Sequence, residues 1–210
     1  MYSPSYSREP DQAVVIDFMK QHPFAMLIGI DAETKPVATQ VPLFIDEREG
    51  TIYLTGHVQR KTDHYHAYDQ NSNVLAVFTG AHTYISASWY DDKQMASTWN
   101  YMSVHAKGVL RFLNDAELLE VLKRTTSHFE NDPHSPSLVE KMTDEYVAKN
   151  MKAIAAFEVE VKKLDAVFKL SQNRKEKDYD QIARRLKEQG ADAAEIAKLM
   201  EERKSKVFPS

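Results

Sequence analysis

Residues 78–101 carry the residue types that could bind a flat ligand with polar edges. They include both tryptophans, Trp89 and Trp99, together with Tyr84, Tyr90 and His82, and small hydroxylated residues lie between them. Aromatic faces stack on planar rings, and Ser or Thr hydroxyls hydrogen-bond to ring edges. An aromatic-rich hairpin that only packs within the fold has a similar composition, so both interpretations stay open.

Two adjacent cations follow a predicted strand at residues 51–55. Gly56 and His57 leave this strand, and Arg60 and Lys61 come next, near backbone N–H groups that a turn exposes. Such a segment can hold a phosphate group. A solvated charged loop is the alternative, and the segment matches neither a Walker loop nor a dinucleotide-binding glycine motif.

A second polar segment, residues 169–174, follows the last predicted strand. Lys169, Ser171, Gln172, Asn173 and Arg174 place many hydrogen-bond donors within six residues. They could bind a ring carbonyl or a phosphate. The alternative is a polar turn into the tail helix.

No metal site or catalytic residue is predicted. The chain has no cysteine, which excludes disulfides, thiolate metal sites and cysteine nucleophiles. His64 and His66 are the only close histidine pair, and their segment is expected to be a loop or helix. No Gly-x-Ser-x-Gly motif is present.

The bulk properties favour a globular protein of the cytoplasm. The chain has 210 residues and a formal net charge of −4, which disfavours direct DNA binding. Residues 162–206 contain 13 Lys and Arg against 9 Asp and Glu, a mixed pattern typical of a solvated helical face. No apolar run approaches the ~20 residues of a membrane span, and the N-terminus lacks a signal-peptide core.

The apolar pattern predicts a mixed α+β chain that is mainly β. Asp11 is the expected N-cap of a first helix that ends at His22-Pro23. Closely spaced strands follow, which favours an antiparallel barrel or sandwich. The predicted strands are 25–30, 37–45 with Pro42 at an edge or bulge, 51–55, 74–78 buried on both faces, 84–86, 100–112 and 157–161, with a possible extension at 167–170.

The C-terminal half adds helices. Asn114 with Glu117 predicts a helix start, Asn131-Asp132-Pro133 its end, and a further helix is expected after Thr143. From Asp178 the tail is expected to form a helical hairpin that turns at Gly190. Its narrow apolar stripes need either the barrel or a second subunit to pack against. We expect residues 1–170 to form the main domain and 171–210 a helical extension.

Several ordered motifs resemble the PaiB family of FMN-binding negative transcriptional regulators. They begin with Met1-Tyr-x-Pro4 and cover nearly the whole chain. The others are Pro23-Phe24, Ala38–Leu43, Gly56-His57, Tyr84–Tyr90, Thr98–Tyr101, Val104-His105-x-x-Gly108 and Lys169–Arg174. Their number and order make the resemblance specific.

The resemblance implies an antiparallel split β-barrel with peripheral helices and a C-terminal helical tail, in a homodimer with FMN between the subunits. It places Thr55, Arg60 and Lys61 at the FMN phosphate and Thr39, Gln40, Val41 and Pro42 along the flavin edge. Gly56 and His57 belong to the same site. Ser103, Lys169, Ser171, Gln172 and Asn173 would come from the partner subunit. The family usually has Asn-Pro where this chain has Thr62-Asp63.

Three functions follow as hypotheses. The first is a flavin-binding regulator, a repressor linked to protease production and sporulation. Its action would be indirect, because the sequence shows no helix-turn-helix, zinc finger or basic stripe. The second is an FMN-dependent oxidoreductase acting on a small molecule. The third is a haem-related role with His57, His82 or His105 as ligand.

Overall fold

The computed structural model describes residue 1 and residues 3–209. Tyr2, which belongs to the opening motif, lies outside the described residues. The helices are α1 (Gln12–Gln21), α2 (Asp63–Gln70), α3 (Asp115–Glu130), α4 (Asp144–Met151), α5 (Glu176–Lys187) and α6 (Ala191–Val207). The strands are β1 (Phe24–Ile30), β2 (Pro36–Pro42), β3 (Phe44–Arg48), β4 (Thr51–Gln59), β5 (Asn73–Ile85), β6 (Thr98–Phe112) and β7 (Ile154–Lys169).

The seven strands form one sheet in the order β2-β1-β5-β6-β7-β4-β3. The pairings of β1 with β2 and β5, and of β4 with β3 and β7, are antiparallel. The sheet is not closed, as in a split barrel. The predicted fold class, mixed α+β and mainly β with an antiparallel split barrel, is therefore confirmed. No helix in the described part of the chain is long and apolar enough to span a membrane.

The predicted strand 37–45 is wrong in one respect, because two strands replace it. β2 ends at Pro42, β3 begins at Phe44, and the two strands lie at opposite edges of the sheet. Pro42 has no amide hydrogen to continue the ladder, and the amide of Leu43 donates instead to the carbonyl of Pro23 at 2.9 Å. The edge position expected for Pro42 is confirmed.

Other strand bounds also differ from the predictions. The expected strands at 74–78 and 84–86 are one strand, β5, whose burial alternates, so 74–78 is not buried on both faces. β4 continues past Thr55 to Gln59 because β7 pairs with it as far as Ile154. β7 itself includes the possible extension up to Lys169.

The helix termini follow the predicted caps. The carboxylate of Asp11 accepts from the amide of Ala13 at 3.0 Å. Asn114 and Glu117 form a full capping box at the start of α3. Asn131 ends that helix in the left-handed region, with φ at 49°. These helix termini could be predicted from the sequence because each cap involves only residues close together in the chain.

The chain divides into two compact units. The first contains residues 1–22, 78–104 and 165–210, and the second contains residues 23–77 and 105–164. The two tail helices belong to the first unit. The division at residue 170 stays a prediction.

The stripes of the tail helices are buried within their own subunit. The side chains of Ile182, Leu186, Ile196 and Met200 are fully buried, and the hydroxyl of Tyr179 donates to the carbonyl of Met200 at 2.8 Å. The sequence required either the barrel or a second subunit to cover these stripes, and in the structure the same chain covers them. The stripes therefore give no reason to expect a second subunit.

Candidate functional site

The predicted cofactor residues fall into two groups, one in each unit. The second unit holds Thr39, Gln40, Val41, Pro42, Thr55, Gly56, His57, Arg60 and Lys61. The first unit holds Ser103, Lys169, Ser171, Gln172 and Asn173. Each group is described separately below.

Gly56 brings the end of β2 close to the middle of β4. A Cβ atom at Gly56 would lie 3.0 Å from the carbonyl oxygen of Pro42 and 3.0 Å from a methyl carbon of Leu43. Only glycine fits here without displacing its neighbours. The structure thus brings Pro42, at the end of β2, next to Gly56.

Gln40 and Pro42 border an exposed apolar surface. They pair with Met26 and Phe24 of β1, and paired residues share a face of the sheet. We call the surface formed by Phe24, Met26, Ile28, Ile30, Leu75 and Val77 the β1 face. Phe24 is 61% exposed and Ile30 is 45% exposed, so large apolar side chains meet solvent at both ends of this strand.

Arg60 comes directly after β4, and its guanidinium is held in place. Its Nε donates to the carbonyl of Ile154 at 2.7 Å, and Nη1 donates to the hydroxyl of Tyr65 at 3.3 Å. Arginine has five N–H donors, so others stay available to an anion. Lys61 is exposed. The two cations expected at a phosphate are therefore adjacent, with the arginine pre-oriented.

A cavity of about 650 Å³ that the sequence did not reveal lies beside Thr55. Its lining residues are Asp46, Glu47, Arg48, Thr55, Leu113, Ala116, Glu117, Glu120, Val121, Arg124 and Glu158. Thr55 is 7% exposed. The sequence contains one signal for this cavity. Apolar and acidic residues alternate at 157–160, and this strand pattern could have placed Glu158 on the same face as the cavity.

Glu158 is the centre of an ion-pair network at this cavity. Arg111 donates to it at 3.0 Å, and Arg48 is its second partner. Arg111 also contacts Glu117 at 3.4 Å. Arg48 in turn covers the ring of Tyr53 at 3.7 Å from the centroid. The lining therefore carries more carboxylates than cations, which disfavours a bare anion next to Thr55.

His57 lies half-buried on the same face of β4 as Thr55. Burial lowers the pKa of its imidazole, so the ring is neutral at neutral pH. A neutral imidazole has one N–H donor and one acceptor nitrogen. His64 and His66 lie on helix α2, and no group of three His, Asp or Glu residues suited to a metal occurs in the part of the chain that the structure describes.

The segment after β7 uses most of its donors internally. The ammonium of Lys169 donates to the hydroxyl of Thr98 and, at 2.6 Å, to the carbonyl of Trp99. Burial, and then the charge of Arg174, lowers the pKa of Lys169. Ser171 donates to Asn100 at 3.0 Å, and Gln172 bonds to the backbone of Leu170 and Phe168. Asn173 is exposed. The segment is a polar turn by its contacts, and a role toward a cofactor stays a prediction.

The aromatic stretch divides into packed and exposed members. Tyr90 is 1% exposed, and the guanidinium of Arg174 covers its ring at 4.5 Å from the centroid. Trp99 and Tyr84 are 52% and 48% exposed, with ring centroids 6.0 Å apart. The packing interpretation therefore holds for Tyr90, while Trp99 and Tyr84 stay open to a ligand.

Comparison with known proteins identifies the family. The model of the family described as "Putative FMN-binding domain" matches residues 1–163. The chain is 31% identical over 207 residues to the Bacillus subtilis protein named "Protease synthase and sporulation protein PAI 2". That alignment covers 98% of this chain and 99% of the relative. It includes residues 169–173, which lie beyond the match to the family model.

Solved structures support the fold. The "FAD and Heme binding protein" of Mycobacterium smegmatis aligns with a TM-score of 0.58 at 16% identity, covering 78% of this chain and 73% of that one. The "Flavocytochrome Anf3" of Azotobacter vinelandii aligns with a TM-score of 0.54 at 17% identity, covering 78% and 69%. The chain belongs to the PaiB family of FMN-binding proteins, and its cofactor is FMN.

Proposed function

We propose that this chain is a PaiB-type flavoprotein that acts as a homodimer in the cytoplasm and lowers gene expression indirectly, through the state of its bound FMN. The observation that carries the proposal is the end-to-end similarity to the Bacillus subtilis protein whose name refers to protease synthesis and sporulation. Lack of cysteine fits the cytoplasm.

The residues in place fit FMN. Arg60 and Lys61 supply cations for the phosphate, and the Gly56 contact with Pro42 aligns segment 39–42 for the ring edge. In the proposed dimer, Ser103 and residues 169–173 of the partner subunit complete the site. Bound FMN supplies electron and hydride transfer, while the protein positions and tunes it. His57, neutral and half-buried, offers a hydrogen bond without adding charge.

The β1 face supports a dimer. Its large exposed apolar side chains would be covered by a second copy of the chain, and closed two-fold dimers are the commonest assemblies of soluble proteins. The face borders Gln40 and Pro42, which are predicted to contact the flavin. A subunit seated there would approach the same ligand.

The charges of the tail support an indirect mode of regulation. Lys204 pairs with Asp180 and Glu176, Lys187 pairs with Glu201, and Lys177 pairs with Asp91. Affinity for duplex DNA depends largely on cations that are free to neutralise phosphates. Cations already paired with carboxylates serve this purpose poorly.

An FMN-dependent oxidoreductase is the second candidate function. It is favoured by fold similarity to solved proteins whose names refer to flavin and haem. The absorbance spectrum of the purified protein tests the cofactor, because flavin gives two visible bands and haem gives a Soret band. Turnover of NAD(P)H would favour the oxidoreductase. Flavin without turnover favours the regulator, and specific DNA binding tighter than about 10⁻⁷ M at physiological salt would contradict indirect action.

A further inference from the structure

One face of β6 presents an exposed indole that the cofactor residues above do not include. The ring of Trp99 is tilted 34° to that of His82, with centroids 6.1 Å apart, and stands edge-on to Tyr84 at 69°. His82 and Tyr84 lie two residues apart on β5, and successive side chains of a strand alternate between faces. The three rings therefore form one surface, which we call the aromatic wall.

Ser103 lies on the same side of β6 as Trp99. The two residues are four positions apart in a regular strand, so their side chains point to one face. Ser103 is 8% exposed, so its hydroxyl lies at the edge of this face. A hydroxyl on the same face as an exposed indole can hydrogen-bond to the polar edge of a ring that stacks on that indole.

We propose that the aromatic wall is the surface on which the isoalloxazine ring of FMN stacks, with Trp99 as the principal contact and the Ser103 hydroxyl bonded to the ring edge. The inference rests on the proposed homodimeric FMN site and adds the residues that hold the ring. A half-exposed indole flanked by two smaller rings matches a large planar heterocycle in size and character.

The backbone at Trp99 is fixed for this role. Lys169 donates to the carbonyl of Trp99 at 2.6 Å and also bonds to Thr98. On the neighbouring position, Asn100 is fully buried and accepts from Ser171 at 3.0 Å. These bonds explain how residues 169–171 contribute to the site although their own donors are used internally: they hold the strand that carries the indole. A wall fixed in this way loses little entropy on binding.

Flavin fluorescence tests the proposal, because an indole in contact with an excited flavin quenches its emission by electron transfer. The full-length protein is loaded with FMN, and bound FMN is measured by ultrafiltration. Emission yield and lifetime per bound flavin are then compared in wild type, Trp99→Leu and Trp99→Phe. Trp89→Leu is the matched control, since it removes the other tryptophan of the same stretch.

We expect strong quenching in wild type and Trp89→Leu, a severalfold rise in yield in Trp99→Leu, and partial quenching in Trp99→Phe. FMN affinity should fall roughly three- to tenfold in Trp99→Leu, as for loss of one aromatic contact. An unchanged emission yield per bound flavin in Trp99→Leu would refute stacking of the flavin on the aromatic wall. So would a Trp99→Leu protein that becomes monomeric while its flavin emission stays quenched, because the surface would then be a subunit contact. If the wild-type protein did not bind FMN, the proposed function itself would be refuted.

If Trp99→Leu does not fold, Tyr84→Leu provides the second variant. Tyr84 is half-exposed, and its ring meets the edge of Trp99. Its loss should raise the flavin emission less than Trp99→Phe does. A rise larger than that would contradict the assignment of Trp99 as the principal contact.

Discussion

Thr55 lies directly opposite Glu158 in the antiparallel pairing of β4 with β7. Both are about nine-tenths buried, and both line the cavity beside α3. The hydroxyl predicted to assist the FMN phosphate therefore shares its face with a carboxylate. Arg48 and Arg111 bind this carboxylate and reduce its effect.

Replacing Glu158 by Gln should strengthen FMN binding, by roughly three- to tenfold, if the phosphate lies near Thr55. The change removes a negative charge and releases two arginines toward the ligand. Riboflavin, which lacks the phosphate, should bind as it does to wild type. Titration of both ligands measures the ratio of their affinities. Glu160→Gln, two residues along the same strand, is the control. An unchanged FMN-to-riboflavin ratio in Glu158→Gln would place the phosphate elsewhere.

Arg60→Ala should weaken FMN binding roughly ten- to a hundredfold, because a charge-assisted hydrogen bond is worth ~1.5–3 kcal/mol. Lys61→Ala should have a smaller effect, since a lysine contributes a point charge without a fork. Riboflavin binding should change little in either variant. Thermal unfolding checks the fold of Arg60→Ala, because the arginine also bonds to Ile154 and Tyr65. Wild-type affinity for FMN in a folded Arg60→Ala protein would refute the assignment.

Gly56→Ala should reduce both stability and FMN affinity. The new Cβ would meet Pro42 and Leu43 at 3.0 Å and Phe157 at 3.1 Å, and overpacking of this kind costs ~1–3 kcal/mol. Gly50→Ala is the control. A Cβ at Gly50 would meet no neighbouring atom, but the φ of 76° at this position means that the alanine variant loses stability through backbone strain alone. Urea unfolding and FMN titration separate the effects. Equal FMN losses in the two variants would mean that the Gly56 contact does not shape the site.

Local signals predicted more of the fold than long-range ones. The caps at Asp11 and Asn114 could be predicted from the sequence because a cap involves residues within one turn. The break at Leu43 was not, because it depends on the distant carbonyl of Pro23. The length of β4 likewise depends on pairing with Ile154, about a hundred residues later in the chain.

The site shows the same limit. The aromatic and hydroxylated residues in 78–101 fitted either a ligand site or packing alone. Exposure separates Trp99 from the buried Tyr90, and exposure is a property of the folded chain. The donors of residues 169–173 were visible in the sequence, whereas their internal partners Thr98 and Asn100 were not. The cavity beside Thr55 joins strands and a helix that are far apart in sequence.

Ile30→Glu should convert the proposed dimer to a monomer. Ile30 is 45% exposed on the β1 face, and a buried unpaired charge opposes association. Sedimentation at micromolar concentration should give twice the chain mass for wild type and the single chain mass for the variant. Tyr146→Glu, at a side chain of α4 that is 57% exposed and lies outside that face, should stay dimeric. A wild-type monomer that binds FMN would exclude the two-subunit site.

Tyr179→Phe should change how stability depends on alkaline pH. Burial raises the pKa of Tyr179 from its ordinary 10.0 to about 12, so the fold favours the neutral phenol. This contribution is complete below about pH 10 and is lost as pH rises toward 12, which amounts to about 2–3 kcal/mol for two pKa units. Phenylalanine cannot ionise, so the variant should lose less unfolding free energy than wild type over that interval.

At neutral pH the same variant should be less stable than wild type by ~1 kcal/mol or somewhat more, because the carbonyl of Met200 loses its donor between the two tail helices. Urea unfolding in steps from pH 8 to pH 12 measures both effects. Tyr146→Phe is the control, since that side chain is 57% exposed and should show neither. If the unfolding free energies of Tyr179→Phe and wild type stayed parallel through pH 12, Tyr179 would not remain protonated in the folded protein. The junction of α5 with α6 would then be looser than the buried hydrogen bond implies.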